Sequence, residues 1–438
     1  MTDIIFSFDT EDFTSNTAAN AIYREAEILR REGVRGGFCI VGLLAKHLVE
    51  WGREDVLEAL KYHDIGLHTL GHSLHPTINE YTDIESFDDA HTEFLRQERE
   101  AAEYVKKATG RYPIFGCPPG NQKTYVGMYG YSDMDIPIYA DTYCDTVDGE
   151  GTFYCNIYQT QYTFTLEKFL QDDSDEFMRN ALDDLAKYKR AILFTHPNIA
   201  IFSEFWDILN YKEKNLCEFG KWKEGKKRPE EETERYYKSI ERFIKMIKAD
   251  GRFNITSYSA VAEAVRSEEM RVVKKADIPF IKESLEKNFF PIREPMSLSV
   301  SDIFLACVDF LKGKDEHVCG KVYGFLDTPL GVTDEVTLSA ADVKKAAETL
   351  DVSGFLPEKI KVGGTDVGPA DFLRAALQVL CGEEYARIKP DEQLPSLDIL
   401  PKVKNVNFKS WIIVGDDFKD NYLSKRLKLQ IWTLRFKK

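Results

Sequence analysis

The chain has 438 residues, of which 43% are hydrophobic and 30% charged, so it is long enough for two or more globular domains. Its net charge of -15 argues against a nucleic-acid partner, because phosphate binding needs clustered lysine and arginine. No apolar run reaches the roughly 18 residues of a transmembrane helix, so no membrane partner is expected.

The first residues and the cysteines bear on the cellular compartment. Met1-Thr2-Asp3 leads directly into an apolar run, without the basic segment and cleavage site of a secretory signal. Eight cysteines are scattered with no CxxC pair, a spacing typical of reduced, mostly buried thiols. We therefore expect a cytoplasmic protein, and the oligomeric state stays open.

Residues 1 to about 268 alternate short apolar runs with longer amphipathic ones. Strands are predicted over residues 3–8, 35–41, 64–68, 113–116, 136–140, 190–195 and 252–256. Helices are predicted over residues 17–32, 43–62, 86–109, 174–189 and 230–250. Such alternation is typical of parallel strands with helices packed outside, and six or seven units favour a (β/α) barrel over an open sheet.

Two long stretches interrupt this alternation. Residues 125–162 are tyrosine-rich and predicted to be largely irregular, and residues 201–229 form a second insertion that contains Trp206 and Trp222. Long loops in a compact domain are more often functional than idle.

The alternation of short apolar and longer amphipathic runs ends after about residue 268. Residues 300–313 can be laid over residues 369–382 with matching Asp, Ala, Leu and Gly, which indicates two related helices and an internal duplication. A short strand and turn are predicted near residues 356–364, and a hairpin over residues 410–436. We therefore expect residues 275–438 to form a second, mainly helical accessory domain.

His68 and His72 are the most informative pair, since the chain has only eight histidines. Four residues apart, they share one face of a helical turn, and in a tight loop they can also converge. The alternative is a solvent-facing or capping pair. The strand that leads into His68 favours ligands.

A carboxylate cluster, Asp9, Glu11 and Asp12, ends the first strand. It could cap the next helix, but like charges this close repel unless a cation or a proton lies between them. His196 ends the apolar strand 190–195, where the simpler interpretation is a histidine bonded to a backbone carbonyl. In a parallel barrel all these strand ends share one rim, where active sites form. Two histidines and a carboxylate can hold a divalent metal with a position open for water.

These motifs resemble the polysaccharide deacetylase family with the NodB-homology domain, carbohydrate esterase family 4, over about residues 1–268. The first family motif is similar to Ser7–Asp12, and the second, the most specific match, to His63–His72. The third is similar to Thr109–Pro113 followed by Cys117–Gly120, and the last to Leu193–His196. The segment Leu356–Gly364 weakly resembles pseudomurein-binding repeats.

The resemblance implies an incomplete (β/α)7-type barrel with Asp9 as general base and His196 as general acid. It also implies a divalent metal, zinc by preference, bound by His68, His72 and Glu11, with Asp12 as the fallback ligand.

The sequence departs from the family pattern in two places. Cys117 occupies the place of a family arginine that orients the base, so we expect Cys117 to tune the site rather than to attack the substrate.

The fourth family motif, an aspartate near a tryptophan, has only Asp141 and Asp145 as candidates. The resulting hypothesis is a metal-dependent hydrolase that removes the N-acetyl group of an N-acetylated sugar or polysaccharide. One alternative is a C–N hydrolase of a small cytosolic amide or ureide, which the departure at Cys117 favours slightly. The other is a glycan-binding protein without catalysis, against which the persistence of both histidines, the acids and His196 argues.

Overall fold

The computed structural model describes residues 1–120, 122–140, 143–145, 148–211, 217–390, 402–403 and 418–437. The chain divides into two compact units. The first comprises Met1–Gly151, Ile157–Ser267 and Pro401–Leu423, and the second comprises Thr152–Asn156, Glu268–Leu400 and Ser424–Lys438. Among the described residues, no helix combines the length and apolarity that a bilayer crossing requires.

The strands, in chain order, are β1 (Thr2–Thr10), β2 (Gly37–Ile40), β3 (Asp64–Leu67), β4 (Phe115–Gly116), β5 (Ile138–Ala140), β6 (Cys144–Asp145), β7 (Thr152–Tyr154), β8 (Ile157–Thr160), β9 (Tyr162–Thr165), β10 (Arg190–Thr195), β11 (Phe253–Ile255), β12 (Val272–Lys274), β13 (Glu316–Val318), β14 (Val336–Ser339), β15 (Ile360–Val362), β16 (Thr365–Val367), β17 (Tyr385–Ile388), β18 (Lys402–Val403) and β19 (Arg435–Phe436). The helices are α1 (Ala19–Arg31), α2 (Gly42–Glu50), α3 (Glu54–Leu60), α4 (Ile78–Thr82), α5 (Phe87–Thr109), α6 (Tyr125–Asp133), α7 (Asp175–Leu185), α8 (Asn198–Ile201), α9 (Trp206–Tyr211), α10 (Glu230–Ala249), α11 (Tyr258–Arg266), α12 (Ile278–Lys287), α13 (Val300–Leu311), α14 (Ala340–Thr349), α15 (Pro369–Leu380) and α16 (Leu423–Leu429). Short 3-10 turns cover Leu166–Leu170, Lys275–Asp277 and Gln430–Thr433.

The first unit is built on a parallel sheet whose strand order is β8-β5-β4-β3-β2-β1-β10-β9, with β11 also paired to β1. Every pairing along this order is parallel. The two ends of the order, β8 and β9, are joined in the chain by the single residue Gln161. The sheet must therefore curl back on itself, which is the incomplete (β/α) barrel predicted from the sequence.

Local sequence explains why these elements form where they do. In β1 every residue except the half-buried Asp3 is buried, as expected for a strand covered on both faces. The long helix α5 begins after Ser86, whose hydroxyl accepts from the Asp89 N–H, and ends at Gly110 with φ of 77°. The predicted helix over residues 43–62 is instead two helices, because Gly52 has φ of 68° and interrupts it.

The prediction that residues 125–162 are largely irregular was wrong. Besides β5, which falls within the strand predicted over residues 136–140, the described part of this stretch contains helix α6, strands β6 to β8 and the first residue of β9 rather than an irregular loop. Every residue of α6 from Tyr125 to Tyr131 is buried, so this helix has no polar face from which a helical period could be read. The short strands β6 to β9 have two to four residues each, which is below the length at which alternation becomes visible.

The second unit is mainly helical, with short two-stranded antiparallel ladders. In its earlier half, β12 pairs with β13 and the chain between them holds α12 and α13; in its later half, β14 pairs with β17 around α14 and α15. The helices α13 and α15 each have a buried aspartate in the first turn, Asp302 and Asp371, and each is followed by a glycine of positive φ. The two segments predicted to be related thus occupy corresponding places.

The hairpin predicted over residues 410–436 is not what the described part of that stretch forms. Residues 404–417 lie outside the described residues. From Leu423 onward the chain forms α16, a 3-10 turn and the short strand β19. The apolar and aromatic side chains there are buried, including Leu427 and Trp432, so the same hydrophobic residues serve a helical turn.

Candidate active site

The carboxyl ends of β1, β3 and β10 bring the predicted site residues to one rim of the barrel. Asp9 lies near the end of β1 and Glu11 follows that strand, while His68 and His196 come directly after β3 and β10. Because β1 pairs with β10 on one side, and with β2 and then β3 on the other, these parallel strand ends meet. The side chains of Asp9, Glu11 and His68 are buried.

Glu11, His68 and His72 converge on a common point. The Glu11 Oε2 atom lies 2.9 Å from His72 Nε2 and 3.5 Å from His68 Nε2. One donor atom of each residue lies within 4.8 Å of the others, and all three side chains are buried. The sequence prediction grouped these same residues.

Both imidazoles are held by hydrogen bonds from their other nitrogen. The Nδ1–H of His68 donates to the Cys117 carbonyl oxygen at 2.5 Å. His72 Nδ1 lies 2.7 Å from Ser73 Oγ, and Ser73 in turn donates to Asp207 at 3.2 Å, so His72 Nδ1 is the donor. Nε2 is therefore the nitrogen of each ring that faces Glu11, and it is the atom that would bind a cation when the other nitrogen is held in this way.

The Glu11 carboxylate is also held in place by a hydrogen bond. Its Oε1 atom accepts a hydrogen bond of 3.0 Å from the indole Nε1–H of Trp206, which lies on α9. The other oxygen, Oε2, is the one that faces the two imidazoles. Trp206 itself is buried and packs at 5.3 Å against the ring of His72. One carboxylate oxygen is thus fixed so that the other points at the histidines.

The loop between the two histidines is tight rather than helical. Thr69 has φ of 62° and His72 has φ of 52°, both in the left-handed region that residues with a Cβ seldom occupy. The His72 N–H donates to the Thr69 hydroxyl at 3.1 Å and stabilises this turn. Strain of this kind costs on the order of 1–3 kcal/mol per residue and persists where surrounding contacts hold it.

The donor set fits a divalent cation. Two imidazole nitrogens and one carboxylate oxygen are the protein ligands of many catalytic zinc sites, which keep a further position for water or substrate. Asp12, the fallback ligand, has a different role: its Oδ1 atom accepts from the Thr14 N–H and from the Thr14 hydroxyl at 3.0 and 2.6 Å. Glu11 rather than Asp12 therefore accompanies the histidines.

Asp9 and His196 face each other beside this cluster. The His196 Nε2 atom lies 3.7 Å from Asp9 Oδ2, and the His196 Nδ1–H donates to Glu167 Oε1 at 2.6 Å. The second oxygen of Asp9, Oδ1, accepts from the Tyr162 hydroxyl at 2.9 Å. Each member of the pair is therefore oriented by a neighbour that the sequence analysis did not identify.

Burial and neighbouring charges raise the pKa of both members of this pair. Burial raises the pKa of Asp9, although His68 and His196 oppose that rise. Burial works against a charged His196, but Glu11, Glu167 and Asp9 outweigh it and raise the pKa of His196 to about 10. Burial also opposes ionisation of Glu11, yet the histidines and their hydrogen bonds hold its pKa well below the usual range. His196 is thus a proton donor at neutral pH.

Cys117 lies against Tyr162, the residue whose hydroxyl donates to Asp9. Its Sγ atom is 3.2 Å from the Tyr162 hydroxyl, and its side chain is buried. Of the two candidates for the fourth family motif, Asp141 lies outside the described residues, and Asp145 is described only as part of β6.

The sequence analysis missed four residues of the site: Tyr162, Glu167, Trp206 and Asp207. Tyr162 begins β9 and Glu167 follows it, and neither lies in a strand that the sequence predicted. Trp206 and Asp207 lie on α9, inside the insertion over residues 201–229. The available signal was the expectation that long insertions near a rim are functional, which points to a segment but not to a residue.

No family model matches this sequence. No curated protein matches it either.

Several solved structures are similar to the chain. One is a protein from Mycobacterium smegmatis assigned as a polysaccharide deacetylase, which has 14% identity and a TM-score of 0.40 over 61% of this chain and 90% of that one. A second is a CE4 family pseudoenzyme from Bacillus anthracis, with 12% identity and a TM-score of 0.37 over 60% and 66% of the two chains. A third is the peptidoglycan deacetylase PdaC from Bacillus subtilis, with 13% identity and a TM-score of 0.32 over 66% and 97%.

These structures represent the same class of protein that the motifs resemble.

Proposed function

We propose that the first unit is a metal-dependent hydrolase that removes the N-acetyl group of an N-acetylated sugar or polysaccharide. The reaction cleaves a carbon–nitrogen bond other than a peptide bond. The observation that supports it is a cluster of three candidate ligands beside an acid–base pair. Glu11 faces the Nε2 atoms of two imidazoles, and Asp9 faces His196, whose pKa the neighbouring carboxylates raise.

Glu11, His68 and His72 are the residues that would hold the cation, with zinc as our first choice because its catalytic sites use this donor set. Bound there, a divalent cation supplies a water of lowered pKa and polarises the amide carbonyl. The hydrogen bonds from His68 to Cys117 and from His72 to Ser73 keep both rings in the ligating tautomer.

Asp9 and His196 divide the proton transfers. Tyr162 holds Oδ1 of Asp9, so Oδ2 is the oxygen that accepts a proton from the attacking water. His196 Nε2 then donates its proton to the nitrogen that leaves as an amine. Glu167 keeps the His196 ring oriented through Nδ1 and favours its protonated form. General acid and base steps of this kind each contribute about 100- to 10,000-fold in rate.

A second candidate is hydrolysis of a small amide or ureide. It is favoured by the residues around Asp9, where the orienting donor is the Tyr162 hydroxyl and Cys117 stands beside it. This arrangement differs from the arginine that the resembled family uses, so the pocket beside the base differs as well. The chemistry of the two candidates is the same, and only the substrate distinguishes them.

The test compares three variants that change one carboxylate each by one atom. Purified protein is loaded with zinc, its metal content is measured, and amine release is followed with short N-acetylglucosamine oligomers and with a panel of small amides and ureides. Glu11→Gln should lose the metal. Asp9→Asn should keep it and lower kcat about 100- to 10,000-fold on the substrate that is turned over. Asp12→Asn is the matched control and should change neither quantity, because an asparagine oxygen can still accept from Thr14.

Turnover of the oligomers supports the deacetylase, and turnover of only the small compounds supports the second candidate. Stoichiometric metal with no turnover of either set would leave a glycan-binding protein. Loss of metal in Asp9→Asn with retention in Glu11→Gln would show that base and ligand are exchanged.

A further inference from the structure

Three successive parallel strands bring together a second set of donor atoms, which shares His68 with the first. Cys39 lies in β2, His68 follows β3 and Cys117 follows β4. The two Sγ atoms and one imidazole nitrogen lie within 4.8 Å of one another, and all three side chains are buried. Cys39 pairs in register with Asp9, so it lies on the same row of the sheet as the proposed base.

We propose that Cys39, Cys117 and His68 form a second cation site, for a thiophilic metal ion, which shares His68 with the carboxylate site. Two thiolates and an imidazole make a soft donor set, which selects cations such as cadmium or copper(I) over the hard cations that carboxylates prefer. Two thiolates also balance the charge of a buried divalent cation. Both cysteines are free thiols, so neither is committed to a disulfide.

The shared histidine makes the two sites mutually exclusive. A neutral imidazole has one lone pair, and the Nδ1–H of His68 donates to the Cys117 carbonyl. His68 can therefore serve one cation at a time. A thiophilic ion held by the two sulfurs therefore removes one ligand from the set formed with Glu11 and His72. The proposal does not depend on hydrolysis, because its readout is the metal–sulfur bond.

The experiment uses cadmium on the full chain. Titration of metal-free protein with Cd²⁺ should give a sulfur-to-cadmium charge-transfer absorption that saturates at one equivalent, and the ¹¹³Cd chemical shift should report two sulfur ligands. Cys39→Ser and Cys117→Ser should each lower the band by half or more. Glu11→Gln should leave it intact, and Cys381→Ser, which changes an exposed thiol, is the matched control.

Prior loading with Cd²⁺ should weaken the affinity of the wild-type protein for Co²⁺ at least tenfold, and it should do so less in Cys39→Ser. A ¹¹³Cd shift typical of nitrogen and oxygen ligands alone would overturn the proposal. So would a band that survives both serine substitutions. The chemical shift is measured on the wild-type protein, so this outcome does not require that either variant fold.

Discussion

At the scale of single residues, the base of the proposed reaction is held by a chain of hydroxyl groups. The Tyr258 hydroxyl donates to Ser7 Oγ at 3.2 Å, Ser7 Oγ lies 3.4 Å from the Tyr162 hydroxyl, and Tyr162 donates to Asp9 at 2.9 Å. Each hydroxyl has one proton to give, so the order of donors runs from Tyr258 through Ser7 and Tyr162 to Asp9. The ring of Tyr162 stacks on Phe194 at 4.5 Å and cannot turn freely.

We predict that Tyr162→Phe lowers kcat about 10- to 100-fold while KM and metal content stay unchanged. The removed hydrogen bond is one to a charged group, worth about 1.5–3 kcal/mol. A residue that only packs would not separate kcat from KM in this way. Tyr112→Phe is the control. Tyr112 is partly exposed and lies before the amino end of β4, whereas the candidate site lies at the carboxyl ends of the strands. Equal loss in both variants would contradict the role given to Tyr162.

At the scale of elements, α5 supports the histidine loop through one buried carboxyl. Glu98 is fully buried; its Oε1 atom accepts from the Leu70 N–H at 3.2 Å and its Oε2 atom from the Tyr131 hydroxyl at 2.9 Å. Burial raises the pKa of Glu98 to about 7, although these two hydrogen bonds oppose the rise. The folded protein thus keeps a proton that the unfolded chain releases at lower pH.

That difference predicts the sign of a pH dependence. Between the ordinary glutamate pKa near 4.5 and the folded value of about 7, the free energy of unfolding contributed by Glu98 falls as pH rises. Glu98→Gln should remove this loss, so the variant gains stability over the wild type from pH 4 to pH 8, by on the order of 3 kcal/mol. Denaturant midpoints at both pH values measure it, with the exposed Glu103→Gln on the same helix as control. A pH-independent difference would refute the assignment.

A second element-scale feature is the missing side chain at Gly66 in β3. A Cβ there would lie 2.4 Å from the ring of Phe115, and that ring stacks on Tyr258 at 4.0 Å, so it has no room to shift. We predict that Gly66→Ala costs about 1–3 kcal/mol in the free energy of unfolding. Gly251→Ala, where a Cβ meets nothing within 4 Å, should cost far less in the same denaturant titration. Similar losses at both positions would show that the close approach is relieved elsewhere.

The elements also show what a sequence can and cannot foretell. The sequence analysis singled out Asp9, Glu11, His68 and His196 because each ends or follows a predicted strand, and parallel strands bring such ends together. It singled out His72 by its spacing from His68. Tyr162 and Trp206 were not found. Their partners, Asp9 and Glu11, are more than 150 residues away in the chain, and no local period records a contact of that range. The tightness of the histidine loop depends on the left-handed Thr69 and His72, which residue type alone does not predict.

At the scale of the whole molecule, the first compact unit includes a segment from late in the chain. Asp83 accepts hydrogen bonds from the backbone N–H groups of Asn421, Tyr422 and Leu423 at 2.8, 2.8 and 3.2 Å. The strand β18 pairs with β6 within the same unit. A domain that ends near residue 268 would lack these contacts but would keep every residue of the candidate site.

We predict that a fragment of residues 1–270 is soluble and binds one divalent cation, with a lower melting temperature than the full chain because Asp83 loses its backbone donors. Metal analysis and thermal unfolding of both proteins measure this. The same fragment with His68→Ala and His72→Ala should be soluble and metal-free. An insoluble 1–270 fragment would mean that later residues complete the core, and the proposed boundary near residue 270 would be wrong.

The link between β8 and β9 has a consequence for how this chain can vary. Surface connections usually accept an extra residue at little cost. Gln161 cannot be treated in this way, because it joins the two ends of the strand order and also fixes the face on which Tyr162 lies. Successive residues of a strand point to opposite faces, so one inserted residue would turn Tyr162 away from Asp9. The hydrogen bond from Tyr162 to Asp9 therefore constrains the length of this connection. In a chain with the same barrel but a longer link, a different residue would have to donate the hydrogen bond to the base.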